Sequence, residues 1–265
     1  MKRRFLLVLV LVVVGVGYLL KSRSADISSV ELFFPKRNYK PKIVPASEHT
    51  ILLVGDSMTD VLRPYDSDFR AQLAKYYPEK TFGIFNYGYG ATNIESLPER
   101  LGEETQYLGV SYPAILEREF DFIFIESFGY NPLSHLPLKD GLKKQEEILK
   151  TSVERIIDSH PNSVIIFVTT IAPNDENFGK GLVDLTPEQR QVWVSERRAY
   201  IKNHAKFALS TNIYLLDIYE KSSDTTGNGM LKYIDAKTNL HPSVDGVKLI
   251  NKSMADFLHE NNLIP

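Results

Sequence analysis

Five short apolar runs, separated by segments of helical period, limit what this chain can fold into. They are Ile51–Val54, Phe82–Phe85, Phe122–Ile125, Val164–Val168 and Ile213–Leu216. Each suits one buried strand and is too short for a helix. Between them, Phe69, Leu73 and Tyr76 share one helical face, and Leu149, Val153, Ile156 and Ile157 share another. Thr186-Pro187-Glu188-Gln189 reads as a helix start, with a capping threonine, proline at the first helical position and glutamine placed to close a capping box. That helix would carry Trp193, Arg197 and Tyr200, and the last helix Val247, Ile250, Met254 and Phe257. Unbroken strand–helix alternation calls for a parallel sheet covered on both faces. Residues 49–265 therefore read as one three-layer α/β/α domain around a five-stranded parallel sheet.

The N-terminus has a different character. Lys2, Arg3 and Arg4 precede an uninterrupted apolar run from Phe5 to Leu20. As a helix the run spans about 24 Å, against a hydrocarbon core of about 30 Å. Arg4 and Lys21 can snorkel to make up the difference. No small-x-small cleavage site follows, so residues 1–21 read as an uncleaved signal-anchor, with a cleaved signal peptide as the alternative. The basic extreme N-terminus places that end inside and the body of the chain outside the membrane. Residues 22–48 mix charge, serine and proline and read as a linker, within which Val30–Phe34 could add an edge strand.

Composition excludes several function classes. The chain has no cysteine, which removes disulfide frameworks, thiolate metal sites and cysteine nucleophiles. The formal net charge of −2, without a basic stripe, gives no footprint for nucleic acid. No His-x-x-x-His or Asp/His cluster has metal-ligand spacing, and no cofactor motif is present.

On such a sheet, ligands bind beyond the carboxyl ends of the strands. Four stretches there, or in a late loop, can carry chemistry. Gly55-Asp56-Ser57 ends the first strand; Ser57 could be an exposed nucleophile, or Asp56 and Ser57 could be only a helix cap. Asn86, Gly88 and Gly90 follow the second, as a turn or as a close backbone approach to an oxyanion. Gly129 and Asn131 follow the third, and an asparagine amide can donate to an oxyanion without carrying charge. His241, in Asn239-Leu240-His241-Pro242-Ser243, stands just before the last helix, a stiff mount for a base.

Taken in order, these residues resemble the sequence blocks of the SGNH, or GDSL-type, hydrolases. Gly55-Asp56-Ser57 matches the first block, with Met58 where many members have leucine. Asn86, Gly88 and Gly90 match the second, Gly129-Tyr130-Asn131 the third, and His241-Pro242-Ser243 the last. The resemblance covers about residues 49–259. It implies the flavodoxin-like fold of that family and hydrolysis of carboxylic esters without cofactor or metal. Ser57 would attack the ester carbonyl and His241 would take its proton and return it to the leaving alcohol. The N–H groups of Ser57 and Gly90 and the Asn131 amide would form the oxyanion hole, with Ala91 as an alternative to Gly90. Asp56 would tie the loop together rather than take part in the reaction.

Pro132 stands where many members have aspartate, but one departure from the family pattern matters. Thr238 stands where the family usually has an aspartate that orients the histidine. A Ser–His dyad, a substitute acid such as Asp235 or Glu126, or an impaired site would each account for this. Family and location point to short acyl groups, such as acetyl, on cell-surface or extracellular glycans. A lipase, lysophospholipase or thioesterase, or a non-catalytic glycan-binding surface protein, are the alternatives.

Overall fold

A computed structural model describes residues 39–265, and the anchor, most of the linker and the Val30–Phe34 strand fall outside those residues. In chain order the strands are β1 (Glu48–Gly55), β2 (Thr81–Gly88), β3 (Thr105–Tyr107), β4 (Val110–Tyr112), β5 (Phe122–Glu126), β6 (Val164–Val168) and β7 (Tyr214–Leu216). The helices are α1 (Ser57–Asp60), α2 (Asp66–Tyr76), α3 (Leu97–Gly102), α4 (Leu138–Ser159), α5 (Pro187–Thr211), α6 (Ile218–Ser222) and α7 (Val244–Glu260). Five strands form one parallel sheet in the order β2-β1-β5-β6-β7, while β3 and β4 make a separate antiparallel hairpin. All five apolar runs lie on the main sheet. The order reverses beside β1, and the crevice above such a switch point is where open α/β sheets place ligands.

Burial explains why the runs became strands. Every residue of β5 and β6 is buried, so helices cover both faces of the sheet. Leu149, Val153, Ile156 and Ile157 of α4 are buried, as are Val247, Ile250 and Met254 of α7. The capping box at Thr186 forms as read: Thr186 Oγ1 accepts from Gln189 N–H at 3.2 Å, and Gln189 Oε1 accepts from Thr186 N–H at 2.9 Å. On α2, Phe69 and Leu73 are buried but Tyr76 is 37 % exposed. Its hydroxyl donates to Asp256 and its ring stacks on His259, so the face ends in an amphipathic contact with α7.

The described chain enters at the amino-terminal rim of the sheet. Tyr39 Oη donates to Ser163 O at 2.5 Å and accepts from Ile165 N–H at 3.0 Å, closing the stretch of β6 that precedes its pairing with β7. Among the described residues, no helix is long and apolar enough to cross a membrane, and no group of three His, Asp or Glu side chains could hold a metal ion.

Candidate active site

The turn after β1 is built by crowding. A Cβ on Gly55 would lie 2.1 Å from Thr59 Oγ1 and 2.8 Å from Glu126 Cβ. Glycine is needed there for close packing rather than for a special backbone angle. The helix that Ser57 opens is only four residues long, so its dipole is small and local N–H groups matter more than the helix. Asp56 is fully buried and caps this turn: Oδ1 accepts from Met58 N–H at 2.8 Å. Among the described residues, neither the hydroxyl nor the N–H of Ser57 has a hydrogen-bond partner.

The end of β2 is fastened to the same turn. Asn86 Nδ2 donates to Thr59 O at 2.9 Å, and Asn86 Oδ1 accepts from Gly88 N–H at 2.8 Å. At Gly88 the two backbones touch, since a Cβ would stand 2.3 Å from Asp60 N. This places Gly90 beside the serine: a Cβ on Gly90 would lie 3.9 Å from Ser57 Cβ. Asn131, past β5, joins them by donating from Nδ2 to Asp56 Oδ2 at 2.9 Å. The amide has a second N–H, which this bond leaves free. Ser57, Gly90 and Asn131 are thus gathered by Asp56 and Asn86. The Gly90 N–H is already engaged by Tyr107 Oη at 2.9 Å.

His241 is set by its backbone. Its N–H donates to Thr238 Oγ1 at 3.3 Å, its carbonyl accepts from Asp235 N–H at 2.8 Å, and Pro242 bridges to Ile234. Ser243 caps α7 through Gly246 N–H. Thr238 therefore holds the loop and makes no hydrogen bond to the imidazole. Asp235 Oδ1 accepts from Lys237 N–H, Thr238 N–H and the Thr238 hydroxyl, which holds its carboxyl below the usual range. Among the described residues the His241 ring has no hydrogen-bond partner. Burial pushes its pKa down, opposed by the charges of Asp235 and of Asp60, the last residue of the turn that begins at Ser57. A neutral imidazole results, the form a base needs.

Glu126 does not serve His241. It is buried beside Asp56, with Oε1 accepting from Ser127 Oγ at 2.6 Å and Oε2 from Phe128 N–H at 2.9 Å. Two buried carboxyls this close cannot both ionise. Burial raises Glu126 well above its ordinary range, with the Asp56 charge adding to the rise, and burial lifts Asp56 to about 6.

The sequence reading passed over Arg100, which is 1 % exposed on α3. Its Nη1 donates to Gly55 O at 2.7 Å and Tyr87 O at 2.9 Å, and its Nη2 to Thr92 Oγ1 and Ser96 Oγ. The guanidinium lies 4.2 Å from the Tyr89 ring centroid. It ties the β1 and β2 loops together and supplies a positive charge near Asp56. Asp60, Arg63 and the β3–β4 hairpin were also missed. The hairpin turns at Leu108-Gly109, both at positive φ, between residues of strand propensity. A leucine at such an angle carries no turn signature.

No protein-family profile matches the chain, and no curated protein matches it in sequence. Solved structures do match in shape. A lipase/acylhydrolase from Enterococcus faecalis superposes with a TM-score of 0.54 at 18 % identity, covering 80 % of this chain and 96 % of that one. A GDSL-like lipase from Bacteroides thetaiotaomicron gives 0.55 at 10 % identity, covering 80 % and 89 %. A mutant acetyl-xylooligosaccharide esterase from Geobacillus Stearmophilus gives 0.52 at 19 % identity, covering 84 % and 99 %. With the parallel sheet in the order β2-β1-β5-β6-β7 and helices on both faces, the chain has the α/β/α fold of the SGNH, or GDSL-type, hydrolases.

Proposed function

We propose that this protein is a serine ester hydrolase of the SGNH type that removes short acyl groups from glycans outside the cytoplasmic membrane. The observation that carries the reading is Ser57 at the carboxyl end of β1, its hydroxyl and N–H without a partner among the described residues, with Gly90 beside it and Asn131 held nearby through Asp56. Ser57 Oγ attacks the ester carbonyl while His241 takes its proton. The tetrahedral oxyanion is held by the N–H groups of Ser57 and Gly90 and the free N–H of Asn131, and each such donor is worth about 3–4 kcal/mol of barrier. His241 then returns the proton to the leaving alcohol, and water repeats the sequence on the acyl-enzyme. The charges of Asp235 and Asp60 act on the imidazolium through space, in place of a bonded carboxylate. No metal or cofactor enters this scheme.

The acetyl-xylooligosaccharide esterase among the structural neighbours supports a glycan acetyl ester, and the lipase/acylhydrolase supports the lipid alternative. The apolar run Phe5–Leu20 supports anchoring. A fluorophosphonate probe should label the protein, and Ser57→Ala should abolish both labelling and hydrolysis of 4-nitrophenyl acetate. Faster hydrolysis of acetate than of long-chain esters supports the short-acyl reading, and the reverse order supports a lipase. Membrane fractionation of the full chain against residues 22–265 tests the anchor. The engaged Gly90 N–H and the unbonded His241 ring favour a second reading, a glycan-binding protein that retains the fold without activity. That reading prevails if the native protein hydrolyses the ester no faster than Ser57→Ala.

A further inference from the structure

One hydrogen bond at the site is absent from the reaction above. Gly90 N–H donates to Tyr107 Oη at 2.9 Å, and the Tyr107 hydroxyl donates onward to Asp60 Oδ2 at 2.8 Å. A backbone N–H binds one acceptor well, along its own axis. The phenol oxygen therefore stands where the oxyanion of a substrate would have to bind Gly90. The same oxygen lies 3.0 Å from the position of a Cβ on Gly90, on the residue that neighbours Ser57.

Tyr107 is carried by a small hairpin that stands apart from the main sheet. The β3–β4 hairpin has two strands of three residues each and is not paired with the main sheet. Hairpins of this kind are marginal by themselves. Side chains seat it: Tyr107 stacks on Tyr89 with ring centroids 4.6 Å apart, Thr105 and Tyr89 hydroxyls bond at 2.8 Å, and Arg63 Nη1 donates to Tyr112 Oη at 2.7 Å. The outer side is open to solvent, with Leu108 78 % and Val110 53 % exposed.

We propose that Tyr107 is a displaceable cap on the oxyanion hole, exchanged for the substrate oxygen as the ester carbonyl becomes a tetrahedral oxyanion. The proposal rests on the esterase reading of Ser57 and Gly90. Its physical basis is a difference in acceptor strength. Donation to the Asp60 carboxylate makes the phenol oxygen a better acceptor, so a neutral ester carbonyl does not displace it. An oxyanion does, because a charged acceptor binds about twice as strongly as a neutral one. The cap thus keeps the Gly90 bond out of the ground-state complex and yields it at the transition state, which is the useful place for binding energy. Tyr107 acts through Gly90 as a positioning residue and does not react itself.

Tyr107→Phe keeps the ring and its stack on Tyr89 and removes only the hydroxyl. Steady-state hydrolysis of 4-nitrophenyl acetate by the full chain should show a lower KM, and kcat/KM raised by about 2- to 10-fold, the worth of one neutral hydrogen bond no longer displaced. An unchanged or lower kcat/KM, with Ser57→Ala still inactive, overturns the cap and leaves the esterase reading standing. Activity that survives in Ser57→Ala overturns the esterase reading instead. Should the Phe variant fail to fold, a crystal structure of the wild-type protein phosphonylated on Ser57 decides the matter. The phosphonyl oxygen should accept from Gly90 N–H, with Tyr107 Oη moved out of bonding distance. A Tyr107 still seated on Gly90 in that adduct refutes the proposal.

Discussion

Substituting Asp56 with asparagine probes the energy stored in the turn beneath Ser57. Asp56 is completely buried, and burial lifts its carboxyl from 3.8 to about 6 against four opposing influences: the Met58 N–H, Asn131, the Arg100 charge and Glu126. Its folded pKa is above the unfolded one, so the native state holds the proton more tightly. The group's favourable contribution is complete below the unfolded value and is lost as pH rises through about 6. At about 1.4 kcal/mol per pKa unit the loss is about 3 kcal/mol. It belongs to the Asp56–Glu126 pair as a unit, because the two carboxyls titrate together.

Asparagine does not titrate, but it keeps only one acceptor. Either Met58 N–H or the Asn131 amide then faces a donor, at about 1–3 kcal/mol. Urea unfolding of both proteins from about pH 4 to about pH 7.5 should show Asp56→Asn less stable at the acid end and gaining on the wild type by about 3 kcal/mol across the range. Hydrolysis should fall at every pH, since one amide oxygen cannot hold both the turn after β1 and Asn131 in place. A stability difference constant to within about 0.5 kcal/mol, or a variant that falls further behind as pH rises, would show that the Asp56 proton is not held as argued.

The other expectations are separately measurable. Burial lowers the His241 pKa, so the acid limb of kcat/KM should lie below about 6.5, and Asp235→Asn, by removing a charge that favours imidazolium, should move it lower still; an upward move in a pH–rate profile contradicts the assignment. Arg100→Met leaves the carbonyls of Gly55 and Tyr87 and the hydroxyls of Thr92 and Ser96 without their donor. It should destabilise by about 3–5 kcal/mol, and calorimetry should find Tm lower by about 6–20 °C. Gly88→Ala drives a Cβ to within 2.3 Å of Asp60 N and 2.7 Å of the Thr59 carbonyl carbon, both backbone atoms that cannot turn aside. A loss of about 3 kcal/mol is expected in urea unfolding, with weakened activity because Gly90 shifts.

The sequence determined the frame of this protein. Five apolar runs became the five parallel strands, Thr186 and Gln189 closed their capping box, and Ser57, Gly90, Asn131 and His241 fell where strand ends and a late loop should put them. These features were legible because burial period and caps are local, with each signal written within a few neighbouring residues. Tertiary structure alone decided which groups meet. It turned Glu126 toward Asp56 instead of His241, directed Thr238 to the backbone of His241, and brought Arg100 to the carbonyl of Gly55. It also set Tyr107, from a hairpin without a turn signature, against Gly90. Those contacts join residues far apart in the chain, and the burial that sets their charges exists only once the layers have closed, so no window of sequence could have shown them.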